Sequence, residues 1–535
     1  MRTGSLWPWA LPGALFHLLF VYLSSGFIEG RRYFTLFDDA MVSLAYGRTL
    51  AQTGEWVWFA GADRVQGISS PLWSLYMAGL HWLGLEGSWA SLAVSLTGVA
   101  FLAVTAWVMG DVTRRMTRGL PGSDAASKAV VLVVSLCFPL AFWTLRGMEV
   151  GLVAMLGTLM LRQLSLLLPS PSSVTLQQDR RVLGRMALLL GLGVLARIDF
   201  AVAGGVLVCA AWWLMRLGGR TGLVWQLAIL LPLPIAVAGL LVFQAVYWGD
   251  PLPNTYHLKI GGYPLGERLR AGVAAGVKSL PLLVLSSLAV GLLSRYVAGP
   301  ARCLLAATFA VVVAMLGYSV WTGGDAWEYG PVLNRYVSSV LPFAAALIVA
   351  GLAVAGASLQ GRERTALAVV LAGLVAWWPA SGTSTWRWLG SVARDPGQGR
   401  EFFAGNDLDM TARSRAIAGI VRPGGVVATV WAGAPGYYAG RHMVDLLGKS
   451  DRRVARSPPK GRFGPGHNKW LYAYAIGERR PEMVMGLWRP TRVDLRHMQD
   501  WGYVRLCHDV LGPAFYRAGS DRVEWSVLGP CPDGP

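Results

Sequence analysis

Apolar stretches of membrane length recur from residue 11 to about residue 380, separated by polar turns. An α-helix needs about 20 predominantly apolar residues to cross the hydrocarbon core of a bilayer. The pattern therefore predicts about eleven transmembrane helices, several of them shorter than a full span. Their approximate ranges are 11–28, 88–110, 129–145, 150–161, 186–196, 200–215, 223–247, 279–294, 303–321, 337–358 and 365–380.

The chain changes character after these helices. In residues 381–535, short apolar runs alternate with glycine-rich turns and polar helical stretches. The runs 426–431 and 483–485 predict buried strands, and strands mixed with helices predict a small α/β domain. We therefore expect a transmembrane domain over residues 1–380, with a long first outer loop at 29–87, followed by a soluble domain over 381–535.

Composition supports a membrane protein. Hydrophobic residues make up 54% of the chain and charged residues only 15%, with a mean hydropathy of +0.44. Soluble globular chains carry about a quarter charged residues, and disordered chains are far less hydrophobic. Both of these classes are therefore excluded, which leaves a polytopic α-helical membrane protein.

The net charge of +18 raises the question of nucleic-acid binding. With the N-terminus inside, the predicted inner loops hold 15 Lys/Arg against 4 Asp/Glu, whereas the outer loops hold 11 against 12. This asymmetry is the positive-inside bias of membrane proteins. We therefore expect a lipid bilayer and no nucleic acid as the partner, and an odd number of helices places the tail outside.

Two adjacent carboxylates, Asp38 and Asp39, follow the first apolar run by about ten residues. A carboxylate at the outer interface can act as a general base on a hydroxyl group, and a neighbouring like charge can raise its pKa. Residues Ala40 to Ala51 predict an amphipathic helix that lies on the membrane. Asp residues also suit the N-cap of such a helix, so the spacing alone leaves catalysis and capping open.

Other polar side chains collect at the predicted outer turns. His257, Lys259 and Arg335 have the chemistry to bind a phosphate. For His257 and Lys259 an ordinary turn with solvated polar residues is the favoured interpretation, and Arg335 can simply mark the membrane interface. Opposite charges in 146–149 and 197–199 can hold short helices together as readily as they can contact a substrate. The candidates for substrate binding or for support of the site are Arg146, Glu149, Arg197, Asp199, Tyr256, Asp325, His467 and Lys469.

No nucleotide-binding or common hydrolase motif occurs in the chain, so the energy of any transfer must come from the substrate. Paired Asp residues near a phosphate can bind a divalent cation, but no third ligand is evident. We therefore predict no obligatory metal and no certain cofactor, and a divalent cation stays open. Cys507 and Cys531 can form a disulfide if the tail is extracytoplasmic.

Many sequence blocks resemble, in order, those of bacterial GT-C glycosyltransferases, in particular the mycobacterial terminal β-arabinofuranosyltransferase family. In the helical part they are Phe37-Asp38-Asp39-Ala40, Gln66-Gly67-Ile68-Ser69-Ser70-Pro71-Leu72-Trp73, Gly147-Met148-Glu149-Val150-Gly151-Leu152, Leu195-Ala196-Arg197-Ile198-Asp199, Tyr247-Trp248-Gly249-Asp250-Pro251-Leu252-Pro253-Asn254-Thr255-Tyr256, Gly324-Asp325 and Arg335-Tyr336. In the tail they are Ala432-Gly433-Ala434-Pro435-Gly436-Tyr437-Tyr438, Asp445-Leu446-Leu447-Gly448 and Gly466-His467-Asn468-Lys469. Val150 and Ile198 depart from the family pattern and leave the exact sugar unassigned.

The resemblance implies a GT-C membrane fold with a C-terminal extracytoplasmic α/β domain in the bacterial inner membrane. It implies transfer of a sugar, with arabinofuranose favoured over mannose, from a polyprenyl-phosphate donor to a glycan or protein acceptor. Asp38 or Asp39 would be the catalytic carboxylate, Asp38 being favoured, and His257, Lys259 and Arg335 would hold the donor phosphate. The alternative is a flippase or transporter of a lipid-linked sugar, but transporters usually show midplane polar sites and repeats, which are not evident here.

Overall fold

The computed structural model of the protein describes residues 5–168, 176–328, 332–358, 388–390, 393 and 404–532. These residues fall into two compact units. The first lies within Met1–Val21, Ser95–Leu240 and Arg268–Gly399, and the second within Tyr22–Val94, Leu241–Glu267 and Arg400–Pro535. The first outer loop and residues 241–267 therefore group with the tail. The predicted boundary at residue 380 lies outside the described residues.

Helices of membrane length are present, as the hydropathy pattern predicts. Four of them are long and apolar enough to cross a bilayer: Gly87–Met116, Phe200–Leu217, Leu265–Leu293 and Ala301–Thr322. Three shorter apolar helices are Trp7–Leu23, Val150–Leu166 and Leu341–Ala357. The predicted run 186–196 is the second half of a longer helix whose first turns are charged, and the predicted span 365–380 lies outside the described residues.

In the described part of the chain, two further apolar segments of membrane length are bent pairs of helices. Ser123–Ser135 and Phe138–Leu145 meet at 46°, and Leu223–Leu230 and Pro232–Trp248 meet at 41°. In each pair a proline, Pro139 or Pro232, stands at the start of the second helix. Proline lacks an N–H donor and clashes with the preceding turn, so the helix has to break there.

The α-helices in chain order are α1 Leu11–Leu23, α2 Asp38–Thr53, α3 Pro71–Trp82, α4 Gly87–Met116, α5 Ser123–Ser135, α6 Phe138–Leu145, α7 Val150–Leu166, α8 Leu176–Ala196, α9 Phe200–Leu217, α10 Leu223–Leu230, α11 Pro232–Trp248, α12 Asn254–Lys259, α13 Leu265–Gly276, α14 Leu280–Leu293, α15 Ala301–Thr322, α16 Arg335–Ser338, α17 Leu341–Ser358, α18 Ala404–Ile420, α19 Ala434–Tyr438, α20 Arg452–Ala455 and α21 Arg492–Asp500. A π-helical turn covers Ala473–Glu478.

The tail folds around a five-stranded mixed sheet, which confirms the predicted α/β domain. The strands among the described residues are β1 Gly26–Ile28, β2 Arg31–Tyr33, β3 Val426–Thr429, β4 His442–Asp445, β5 Met483–Val484, β6 Tyr503–His508 and β7 Gly512–Arg517. The order in the sheet is β4-β3-β5-β7-β6, with β3 parallel to β4 and β5, and β7 antiparallel to β5 and β6. Cys507 on β6 forms a disulfide with Cys531.

Helix α2 corrects one expectation. A helix does follow the paired Asp residues, but it does not lie on a membrane surface as predicted. From Ala40 to Gly47 every residue is buried, because α2 packs against α3 and α19. At Gly47 the backbone of α3 comes so close that a Cβ would lie 2.8 Å from the amide nitrogen of Ala78. The paired carboxylates therefore stand at the start of a buried helix.

Candidate active site

Asp38 and Asp39 occupy the first turn of α2. The N-cap position belongs to Phe37, which makes no side-chain cap, so the capping interpretation of the Asp pair is wrong. The free N–H groups of a first helical turn stabilise negative charge. Asp38 is 8% exposed and the Asp39 side chain 15%. The two carboxylates are thus held as a largely enclosed pair on a rigid element.

The glycine-rich turn before α19 holds Asp38. The backbone N–H of Gly433 donates to Asp38 Oδ1 at 3.0 Å. A Cβ at Gly433 would lie 2.1 Å from the main-chain oxygen of Asp38, so only glycine fits this approach. The neighbouring carbonyl of Ala432 accepts a hydrogen bond of 3.0 Å from the indole of Trp58. Tail and first outer loop therefore build the Asp38 site together.

The environment of Asp38 tunes its acidity. Burial raises the pKa of Asp38 to about 6, since a carboxylate is poorly solvated there. The positive charge of Lys449 and the N–H groups of Gly433 and Ala434 lower this pKa, whereas the negative charge of Asp39 raises it. Asp38 is ionised at neutral pH, yet it is a stronger base than an exposed aspartate, which suits a general base.

Lys449 of the tail contacts the other carboxylate of the pair. Its ammonium nitrogen Nζ donates to Asp39 Oδ1. Burial by itself lowers the pKa of Lys449, but the charges of Asp39 and Asp38 outweigh burial and the pKa is raised. The lysine is therefore a fixed cation beside the pair.

His467 and Lys259 belong to the same electrostatic neighbourhood. The pKa of His467 is lowered, first by burial and then by Lys449 and Lys259, while Asp39 opposes that shift. His467 also packs on the ring of Trp488, with 5.3 Å between centroids. Gly466 lies against the Lys259 side chain, because a Cβ there would sit 3.8 Å from Lys259 Cγ. His467 is therefore linked electrostatically to Asp39 and to both lysines, Lys449 and Lys259.

His257 and Lys469 form a neighbouring polar network. His257 Nε2 lies 2.9 Å from Asp250 Oδ2, and Arg456 donates to the same carboxylate oxygen. Burial by itself raises the pKa of Asp250, but the N–H of Leu252 and the contacts with His257 and Arg456 outweigh burial, so this pKa is lowered. Lys469 Nζ donates to the carbonyls of His257 and Ala455, at 2.9 and 2.8 Å. Lys469 thus holds the network in place.

Tyr256, the remaining candidate of this segment, precedes His257 in α12. Its side chain is partly exposed, and its ring centroid lies 5.7 Å from that of His257 in an edge-on arrangement. Residues Asn254–Lys259 form a short helix, so the turn of this stretch is confined to the residues before it.

A cleft of about 710 Å³ opens in the second unit. Its walls combine aromatic, cationic and acidic side chains from the first outer loop and the tail, among them Trp58, Phe59, Asp63, His442, Asp445, Ser450, Asp451, Arg452, Arg453, Arg456, Tyr474 and Arg479. Phe59 and His442 stack with centroids 5.4 Å apart. The volume falls in the range of ligand-binding clefts. Asp445 and Ser450 in its wall flank the loop that carries Lys449.

The candidates of the first unit form buried ion pairs. Arg197 Nε donates to Asp199 Oδ1 at 2.8 Å, and Nη1 to Glu149 Oε1 at 3.4 Å. The guanidinium also lies over the ring of Tyr336, 4.9 Å from its centroid. Arg146, only 1% exposed, is buried in the same unit. Buried charges are stable only when they are paired. Arg197 pairs with Asp199, as the sequence suggests, and also with Glu149.

Arg335 forms a two-pronged ion pair with Asp325. Nε and Nη2 reach the two carboxylate oxygens at 2.6 Å each, and the side chains are 7% and 0% exposed. Arg335 also lies over the ring of Trp143, at 5.7 Å, and the indole of Trp143 donates to the carbonyl of Leu333 at 2.7 Å. The geometry shows a tightly held arginine at the start of α16.

The sequence leaves open whether the Asp pair binds a divalent cation. Among the described residues, no group of three or more His, Cys, Asp or Glu side chains could hold a metal ion. The ammonium of Lys449 stands against Asp39 and would repel a divalent cation. The residues around the Asp pair therefore do not fit such a cation, and we derive no step through one.

Lys449 and Gly433 were missed as site residues by sequence reasoning. Lys449 follows directly on the block Asp445-Leu446-Leu447-Gly448, and Gly433 stands in a glycine-proline turn. Those two blocks were the available signals, but nothing local connects them with residues 38 and 39. The cleft was missed as well, because its walls come from distant segments.

Comparison of the tail with family models identifies one match. Residues 404–525 match a domain of unknown function, DUF8728. No curated protein sequence matches the chain.

Solved structures resemble almost the whole chain. ArnT from Cupriavidus metallidurans bound to undecaprenyl phosphate superposes with a TM-score of 0.57 and 12% identity over 97% of this chain and 99% of ArnT. Apo ArnT gives 0.53 and 14% identity over 95% and 97%. The Archaeoglobus fulgidus oligosaccharyltransferase tethered to an acceptor peptide gives 0.51 and 12% over 97% and 74%. The chain has the GT-C fold of these membrane proteins.

Proposed function

We propose that this chain is a membrane glycosyltransferase that moves a sugar from a polyprenyl-phosphate donor to an acceptor hydroxyl. The observation that carries the proposal is the enclosed pair Asp38 and Asp39 at the start of a buried helix, with the ammonium of Lys449 beside it. The fold supports it, because one structure of the same fold contains undecaprenyl phosphate and another an acceptor peptide.

In the proposed reaction the acceptor oxygen bonds to the anomeric carbon, and the bond between that carbon and the phosphate oxygen breaks. The hydroxyl proton passes to Asp38, and polyprenyl phosphate leaves with the electron pair. Negative charge grows on the phosphate in the transition state, so fixed cations lower the barrier there. Lys259 and Asp39 both act on His467, which favours Lys259 as a phosphate contact. His257 and Arg335 stay candidates for the same role.

The finer assignments follow the family resemblance. We infer arabinofuranose as the sugar and mannose as its alternative. We place the enzyme in the bacterial inner membrane as a multi-pass protein, with the Asp pair and the tail on the extracytoplasmic face. The acceptor is a glycan or a protein. The cleft favours a glycan, because sugar rings stack on aromatic faces and their hydroxyls bond to Arg and Asp side chains.

Donor choice tests the proposal. Purified protein in detergent is incubated with short polyprenyl-phosphate arabinose, the matching mannose donor, or a nucleotide sugar, together with oligosaccharide acceptors. We expect transfer from a lipid donor only. Transfer from the nucleotide sugar would contradict the proposal. Movement of the lipid donor across vesicles without any transfer would favour the flippase instead.

The cleft yields a second prediction. Phe59→Ala or His442→Ala is expected to raise KM for a glycan acceptor about three- to ten-fold, since an aromatic contact is worth about 0.5–1.5 kcal/mol. Donor KM and kcat should stay within about two-fold. His497→Ala is the matched control, because His497 stacks near Trp501 outside the cleft, at 5.4 Å. An unchanged acceptor KM in both cleft variants would exclude the cleft as the acceptor site.

A further inference from the structure

Lys449 stands in a loop that is clamped from two sides. Within the tail, the Asp445 carboxylate accepts the backbone N–H groups of Leu447, Gly448 and Ser450, at 3.0, 3.0 and 2.7 Å. Such a set of hydrogen bonds fixes the loop backbone around the lysine before any substrate arrives.

The second clamp comes from Asn254 at the start of α12. Its side-chain NH₂ group donates to the carbonyls of Gly448, Lys449 and Asp451, at 2.8, 3.1 and 3.2 Å. Asn254 is 5% exposed. Exposed lysines are flexible and strongly hydrated, whereas the backbone of Lys449 is held in one conformation. The fixed loop backbone therefore positions the ammonium of Lys449 beside Asp39.

The charges around the pair explain why a cation is needed. Asp38 and Asp39 are neighbours in the chain, and Asp445 adds a third carboxylate near Lys449. Two enclosed like charges destabilise each other and push one carboxyl toward its protonated form. Lys449 acts on both carboxylates, and His467 interacts with Asp39 and with Lys449. Lys259 acts on His467. Among these, Lys449 makes the direct ion pair.

We propose that Lys449 is a positioning residue of the carboxylate pair: it holds Asp39 as a permanent anion and thereby assigns to Asp38 the role of proton acceptor, without a divalent cation. The inference rests on the proposed function. It makes the tail part of the catalytic centre, because the loop 446–451 supplies the cation and the turn at Gly433 supplies a hydrogen bond to Asp38. The two carboxylates then differ in role because their partners differ.

The test compares Lys449→Met, Lys449→Arg and Lys460→Met in the full chain, with transfer measured from pH 5 to 9. Loss of the Lys449 charge raises the pKa of Asp38, so the acidic limb of the kcat profile should move upward by about one pH unit, which is a ten-fold loss on that limb. Donor KM should change little, and Lys449→Arg should restore the profile. Lys460, an exposed lysine of the same domain, is the control and should leave the profile unchanged.

A coupling measurement separates positioning from folding. If Lys449 acts through Asp39, adding Lys449→Met to Asp39→Asn costs far less than the product of the two single losses. Two outcomes would assign Lys449 a structural role only. In the first, the double variant loses transfer activity by the full product of the two single losses. In the second, Lys449→Met loses activity without a shift of its pH profile, and Lys449→Arg does not restore the activity. Chelation with EDTA should leave wild-type transfer within two-fold, and a loss that Mg²⁺ or Mn²⁺ restores would overturn the proposal.

A readout without catalysis distinguishes this inference from the proposed function. Infrared difference titration follows the protonated carboxyl band that Asp38→Asn removes. The band should titrate near pH 6 in the wild type and at higher pH in Lys449→Met. An absent shift contradicts the role of Lys449 whether or not transfer occurs. Failure of every lipid donor alongside a normal shift would contradict only the proposed function.

Discussion

Asp38→Asn is expected to abolish sugar transfer, by about 100-fold or more, because asparagine cannot take up the acceptor proton. The substitution should affect catalysis and not the fold, because the carboxamide oxygen can still accept the hydrogen bond from Gly433. Initial rates with a lipid donor measure the effect, and thermal unfolding in detergent checks the fold. Glu86→Gln changes an exposed carboxyl group of the same loop and should leave transfer unchanged.

Asp39→Asn should reduce transfer less than Asp38→Asn, because Asp39 acts on its neighbour and on Lys449. If Asp38→Asn is fully active and Asp39→Asn is inactive, Asp39 is the proton acceptor instead of Asp38. If both variants are active, neither carboxylate takes part in catalysis.

The pH dependence of the wild type follows from the same carboxylate. The base must be ionised, and burial raises the pKa of Asp38 to about 6. Transfer should therefore fall as pH drops through about 6 and reach a plateau above it. An acidic limb near pH 4 would indicate a solvated base instead.

Arg335→Met is expected to destabilise the protein by about 3–5 kcal/mol, because it leaves Asp325 as a buried charge without its partner. The variant should unfold at a lower temperature or denaturant concentration. In the double variant Arg335→Met with Asp325→Leu, both charges are removed, and replacing a whole buried pair by apolar groups is often neutral. Much of the lost stability should then return.

This comparison also tests the phosphate role of Arg335. If the arginine serves the donor phosphate alone, Arg335→Met should unfold like the wild type and raise only the donor KM. If the ion pair is its main role, the single variant is unstable and the double variant is not. Lys128→Met, in which a half-buried ion pair with Asp124 is removed, is the control and should cost less than about 1 kcal/mol.

Hydropathy was enough to predict the class of the protein and much of its architecture. Within the described residues the apolar runs of membrane length form helices, because a backbone in hydrocarbon must satisfy its own hydrogen bonds. The tail was likewise predictable as an α/β domain from its short apolar runs, of which 426–431 contains β3 and 483–485 contains β5. A helix after the paired Asp residues was also predicted, from Ala40 to Ala51, and α2 covers Asp38–Thr53.

The setting of the Asp pair was decided only by the tertiary structure. An amphipathic helix on a membrane and a helix buried in a protein have the same local pattern, and the packing of α3 and α19 selects the second. The partner of Asp39 is 410 residues away along the chain and that of Asp38 is 395 away. The local sequence around a lysine or a glycine does not indicate which residue several hundred positions away it will contact. Local periodicity follows from backbone geometry, whereas the role of each carboxylate depends on which charges and N–H groups the folded chain places beside it.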